Sequence, residues 1–286
     1  MKYLTLLLLF IGSFWTGVLA SPIFDYAEHS QLQSGNWVKI SVAQSGVHKL
    51  TYQQLQNMGL QQVENIKVFG YGGAMLPEVF SASSSFIDDL PQVPIYIETG
   101  ADGIFNENDY ILFYAQGPIQ VNYNNTLKKY QHTQNPYSTL GYYFLTTQGE
   151  AAKQITLQPQ ESGNDTLKIR QSYNYFYHEK EMVNLLESGR QWYGEEFNKS
   201  TKSKRFSFSI PNLASNELDV DVAYVGCEPG YNHLQVSIGE NSETFSIYNT
   251  GNTRIAGVWN DFYRTFPYQG TEKITVQCTC QPTGNN

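Results

Sequence analysis

Short runs in which apolar or aromatic residues alternate with polar ones recur along almost the whole chain. WVKISVA (37–43), IKVFGYG (66–72), VPIYIE (93–98), YILFYA (110–115) and YYFLTT (142–147) are the first five. Side chains alternate between the two faces of a strand, so such runs suit half-buried strands. Gly, Pro, Asn and Asp clusters separate them, as strand ends require. IRQSYNYFYH (169–178), RFSFSIPN (205–212), LDVDVAYVG (218–226), HLQVSIG (233–239), ETFSIYN (243–249) and KITVQCTC (273–280) continue the pattern. The expected class is mainly β. Only TYQQLQNMG (51–59) and EMVNLLESG (181–189) suit short helices, the first with Thr51 as cap and Gly59 as stop.

The polar stretch QPQESGND, residues 158–165, holds Pro159 and Gly163 and reads as a linker. It would divide the chain into a β-rich domain at 21–157 and a more sandwich-like one at 166–286. The chain stops soon after its final strand run, so the second domain reads as incomplete.

The first twenty residues stand apart from this pattern. Lys2, the apolar stretch that follows and Val18-Leu19-Ala20 read as a secretory signal peptide, with a mature start at Ser21. No cysteine follows the cleavage site to carry a lipid, and no later stretch suits a membrane span. Export to the periplasm or outer-membrane surface is the expectation. The formal charge is −8 in 286 residues, without a basic run, which argues against a nucleic-acid partner.

Chemistry-bearing motifs are scarce. The five histidines are His29, His48, His132, His178 and His233, and no nucleophile elbow, zinc-binding pair or phosphate loop surrounds them. A dyad of Cys227 and His233 is conceivable, yet Cys227 ends an apolar run and should be buried and inert. Cys278 and Cys280, two apart on one strand, share a face and would strain if bridged together. Cys227 could pair with either, and three free thiols fit equally well. Asp88-Asp89 suits a turn cap. Asn-x-Ser/Thr triplets occur at Asn124, Asn164 and Asn198, and Asp165-Thr166-Leu167 is similar to Bacteroidetes O-glycan sites.

Two stretches are candidate sites. ETGADGIFNEND (98–109) has an acid or amide where a calcium loop needs several of its ligands, so Glu98, Asp102, Asn106 and Asp109 are candidate calcium ligands. Gly100, however, stands where another ligand belongs. Strand runs on both sides and the Asp102-Gly103 turn favour a plain hairpin, which requires no cofactor. GRQWYGEEF (189–197) carries Arg190, Trp192, Tyr193 and Glu195 near Gly189 and Gly194. Aromatic anchors within a polar rim suit a binding surface, and packing within the fold is the competing reading.

Five stretches in order carry a family resemblance: SGNWVKISVAQSGVHKLTYQQLQNMG, IKVFGYGGAMLPE, ADGIFNENDYILFYAQGP, NPYSTLGYYFLTT and YFYHEKEMVNLLESGRQWYGEEF. Together they resemble the N-terminal region of the PorU-type sortases of the type IX secretion system. These are gingipain-like cysteine peptidases of Bacteroidetes. The resemblance implies a parent peptidase whose catalytic Cys and His lie in a downstream domain. It also implies work at the outer-membrane surface beside other type IX components. No counterpart of either catalytic motif occurs here, so no catalytic residue carries over. What the resemblance implies for this chain is a non-catalytic scaffold, cover or docking surface. The rival expectation is a free-standing secreted module that binds a glycan or protein.

Overall fold

The computed structural model describes residues 26–76, 87–156, 170–185, 187, 192–251 and 257–281. The leader, the linker at 158–165 and the Asp165-Thr166-Leu167 site lie outside these residues. The described residues hold fifteen strands, one α-helix and two 3-10 turns. The chain is mainly β, as expected. It divides into two compact units, Met1–Ser162 and Gly163–Asn286.

The first unit has two main sheets. β1 (Val38–Val42), β9 (Gly141–Thr146), β3 (Lys67–Gly72) and β4 (Gln92–Val93) lie side by side in that order. β2 (Gly46–Thr51), β6 (Tyr110–Ala115) and β5 (Ile95–Glu98) form the second. The run VPIYIE thus contributes to both sheets and breaks at Pro94, which has no N–H to continue a ladder. Val42, Val68, Tyr143 and Leu145 from one sheet share a core with Ile95, Ile111, Phe113 and Ala115 from the other.

Helix α1 (Tyr52–Asn57) closes this core with Leu55, which is fully buried. Thr51 Oγ1 accepts from the Gln54 N–H, and Gln54 Oε1 accepts from the Thr51 N–H, a reciprocal cap. Asp88 and Asp89 bind the chain ahead of β1. Asp88 accepts from the Ala27 N–H, and Asp89 accepts from the Gln31 N–H and the Ser30 hydroxyl. A two-stranded ribbon, β7 (Ile119–Asn124) and β8 (Lys129–Gln134), completes the unit. Asn124 Oδ1 shapes its tip by accepting from the Thr126 and Leu127 N–H groups.

The second unit is a sandwich. β10 (Ser203–Ser209), β15 (Lys273–Gln281), β12 (Gly230–Ile238) and β13 (Asn241–Asn249) form an antiparallel sheet in that order. β11 (Glu217–Gly226) pairs with β14 (Val258–Pro267) over ten residues. Leu234, Val236, Phe245, Ile274 and Cys278 from the first sheet meet Phe266, with Leu218, Val220 and Phe262, from the second. Tyr224 is partly buried there. Its hydroxyl donates to a main-chain carbonyl, with those of Asn232 and Phe245 both at 3.0 Å, and burial pushes its pKa up to about 12.

Two expectations fail in this unit. EMVNLLESG does not form a helix over its described part, 181–185. There the chain is irregular, and Val183 and Tyr193 exchange main-chain hydrogen bonds of 2.9 and 2.7 Å in an isolated bridge. The Val183 N–H and carbonyl are taken up by Tyr193, which leaves them unavailable to a helical ladder. IRQSYNYFYH is no strand over residues 170–178. Tyr173, Phe176 and Tyr177 stay exposed, and the segment meets the sandwich instead of joining a ladder: the His178 ring sits 4.6 Å from that of Phe206. Tyr175, next to Asp221 and Glu179, has its pKa pushed up to about 12, by burial first and by those carboxylates second.

Candidate functional site

The loop between β5 and β6 is closed at its base by the Glu98–Tyr110 pair. Inside it, the four residues proposed as calcium ligands bond to the loop itself. Glu98 accepts from the Tyr96 hydroxyl at 2.7 Å and from the Gly100 N–H at 3.2 Å. Asp102 accepts from the Ile104 N–H and the Asn106 side-chain amide, both at 3.0 Å. Asp109 accepts from the Asn106 N–H at 2.7 Å, and its own carbonyl accepts from the Tyr52 N–H at the start of α1. Glycines at 100 and 103 take positive φ, +61° and +70°, so the chain can turn. Phe105 inserts beneath and meets Tyr52 edge to face.

These bonds tie the loop to the core through the chain's own N–H groups. Among the described residues, no three His, Cys, Asp or Glu side chains converge as a metal site would require. Asp109, the only buried carboxylate of the four, is the keystone. Removing it orphans the Asn106 N–H, which costs about 1–3 kcal/mol. Asp109→Ala should therefore lower the melting temperature by the same amount with and without calcium. Stabilisation by calcium that the variant abolishes would instead make this a metal loop.

The second candidate, at 190–195, belongs to the sandwich unit. Arg190 lies outside the described residues. Tyr193 is held by its main-chain pairing with Val183, and Trp192 is partly exposed. Glu195 faces inward from the same stretch. Its Oε1 pairs with His178 Nε2 at 2.8 Å and lies 3.8 Å from Lys180 Nζ. Nothing in the sequence announces the His178–Glu195 pair, because both residues lie in irregular chain seventeen positions apart.

Partial burial pushes the Glu195 carboxyl up, but the His178 hydrogen bond, its own main-chain N–H and the nearby positive charges outweigh that. Its pKa lies below the usual value. A carboxylate lowered in the folded state stabilises the fold above its unfolded pKa, and that gain fades as pH falls through the folded one. Glu195→Gln should therefore melt earlier than wild type at pH 7, and the gap should close below about pH 4. A gap independent of pH would mean that the pair contributes packing alone.

The three cysteines are free. Cys278 is buried, and burial, then Glu195, pushes its thiol up to about 11. Cys227, expected to be buried, is exposed at the end of β11, because the chain turns there toward β12. Partial burial and then the charges of Glu228 and Glu196 still raise its pKa. Burial raises that of Cys280 too. His233 does not serve Cys227: its ring bonds to Ser246 Oγ at 2.7 Å and stacks beside Tyr231. No thiol here has the lowered pKa that an activated nucleophile needs.

No protein-family model and no curated protein matches the chain. A solved structure does: dimeric latent PorU from Porphyromonas gingivalis, 31% identical, with a TM-score of 0.71. The similarity covers 90% of this chain and 24% of that one, so this chain spans about a quarter of its neighbour's length. The chain has a PorU-like fold. No helix among the described residues is long and apolar enough to cross a membrane.

Proposed function

We propose that this chain is the non-catalytic β region of a PorU-type sortase. It would serve as a scaffold, cover or docking surface for a downstream peptidase domain and for other type IX components, at the periplasmic side or outer surface of the outer membrane. The observation that carries this reading is the likeness to latent PorU, which runs through both β units but takes in only a quarter of that protein. The raised thiol pKa values support the non-catalytic half. Within the second unit, Trp192 and Tyr193 are the anchors we assign to such contacts. Trp192, 40% exposed, is the side chain we assign to reach a partner.

The non-catalytic half is tested on the isolated chain. Native protein treated with iodoacetamide near neutral pH should label slowly at Cys278, and peptide substrates should remain intact. Fast labelling of any one cysteine, with peptide turnover lost in step, would make the chain a peptidase in its own right.

A further inference from the structure

The outward face of the sheet β10–β15–β12–β13 has a composition unlike that of the outward β11–β14 face. Its inward positions build the sandwich core, so the intervening residues point away from it. Those residues are Ser, Thr, Gln, His and Tyr, with Arg205 and Lys273 the only side chains of fixed charge. No carboxylate stands among them, although the chain has 26 acidic residues. The outward face of the neighbouring β11–β14 sheet shows the contrast, carrying Glu217, Asp219, Asp221 and Asp261. A sheet face that only needs solvation commonly mixes both charges.

The polar groups are tied into rows across the strands. Ser203 meets Thr279 at 3.0 Å and Ser207 meets Thr275 at 3.5 Å. Arg205 Nε donates to Gln277 Oε1 at 2.9 Å, and Gln235 Nε2 donates to Ser242 Oγ at 3.4 Å. Each hydroxyl carries a donor and two lone pairs, so a pairwise row still has capacity to spare. At one end of the face the rings of Tyr231, Tyr248 and His233 form a cluster. Tyr231 lies nearly parallel to His233, at 7° between planes, and meets Tyr248 edge on at 4.9 Å. Both tyrosines are more than half exposed, at 57% and 56%.

We infer that this face is a docking surface for a neutral polysaccharide. Such a ligand presents hydroxyls to hydrogen-bond and C–H faces to lie on an aromatic ring, and it carries no charge. The face offers matching features in strands spaced about 4.8 Å apart, similar to the length of a sugar ring. An anionic ligand would need a basic cluster, and Arg205 and Lys273 stand four residues apart along the β10–β15 register. An apolar protein surface would find two tyrosines and little else. The inference does not depend on continuity with a peptidase domain.

Affinity electrophoresis of the full chain in gels containing dextran, mannan, galactomannan or laminarin tests it, with polygalacturonate as the charged counterpart. At least one neutral polymer should retard the wild type. The variant Tyr231→Ala/Tyr248→Ala should bind at least about tenfold more weakly, with an unchanged melting temperature. Gln235→Ala, which alters no aromatic packing, should also weaken retardation. Trp192→Ala should run as wild type. The inference fails if no neutral polymer retards the chain, if only polygalacturonate does, or if the tyrosine variant binds normally. It also fails if size-exclusion chromatography shows a dimer that the tyrosine variant splits, because a second copy would then occupy the face.

Discussion

Replacing Gly72 with alanine should lower the melting temperature of the first unit by roughly 10 °C. Gly72 has φ = +72°, a left-handed conformation that costs a residue with a Cβ about 1–2 kcal/mol. An added Cβ would stand 2.2 Å from the Gln116 carbonyl oxygen and 2.6 Å from the Tyr143 hydroxyl. Neither can move aside easily. The Gln116 carbonyl accepts from the Gly73 N–H at 2.9 Å, and the Tyr143 hydroxyl accepts from the Gln116 N–H at 2.7 Å. Strain of about 1–3 kcal/mol from overpacking adds to the conformational cost. At roughly 3 °C per kcal/mol for a unit of this size, the shift follows. Gly103→Ala is the control. It has the same sign of φ but nothing within 4 Å of an added Cβ, so it should cost only the conformational part.

The second large effect belongs to the sandwich. Phe266 is 2% exposed on the inward face of β14, paired with Leu218 of β11. Truncating a buried Phe to Ala removes its burial and leaves a cavity, at a cost of about 3–5 kcal/mol. Phe266→Ala should therefore melt the unit well below wild type and speed amide exchange along β11 and β14. Thr244→Ala, on the outward face of β13 where the chain meets solvent, should cost less than about 0.5 kcal/mol. Equal losses from the two variants would contradict the inward and outward assignment of these strands.

Most of the strands could be read from the alternation, because a half-buried sheet face imposes that pattern directly. The Thr51 cap and Gly59 stop of α1 were equally visible, since each is a local chemical requirement. β7, β8 and β14 are harder to read although their sequences also alternate; VWNDFYRTFP is broken up by Asn260 and Asp261, which resemble turn residues. The irregular chain at 170–185 misled in the opposite direction. Its tyrosines alternate, but a strand also needs a partner edge, and only tertiary packing decides whether one is present.

The site residues show the same division. Asp102, Asn106 and Asp109 were legible as loop formers because their bonds run to neighbours within a few positions. The partners of Glu195 were not, because His178 reaches it through the packing of two irregular segments. The glycines in FGYGG, QGP and LGYY belong to motifs that carried the family resemblance. Their physical reason appears only in three dimensions. Gly72, Gly73, Gly117 and Gly141 let main chains pass where each added Cβ would come within 3 Å of another backbone.

If this chain acts as a non-catalytic part of a larger sortase-like protein, the native protein must be much larger than the chain. An antibody raised to this chain, used to blot cell-surface extracts of the source organism, should reveal a band about four times heavier than the chain itself, given the 24% of its solved neighbour that it spans. A single band at the 32.5 kDa of this chain, or slightly below, would rule out a larger parent protein. The β region would then act alone, as a secreted binding module.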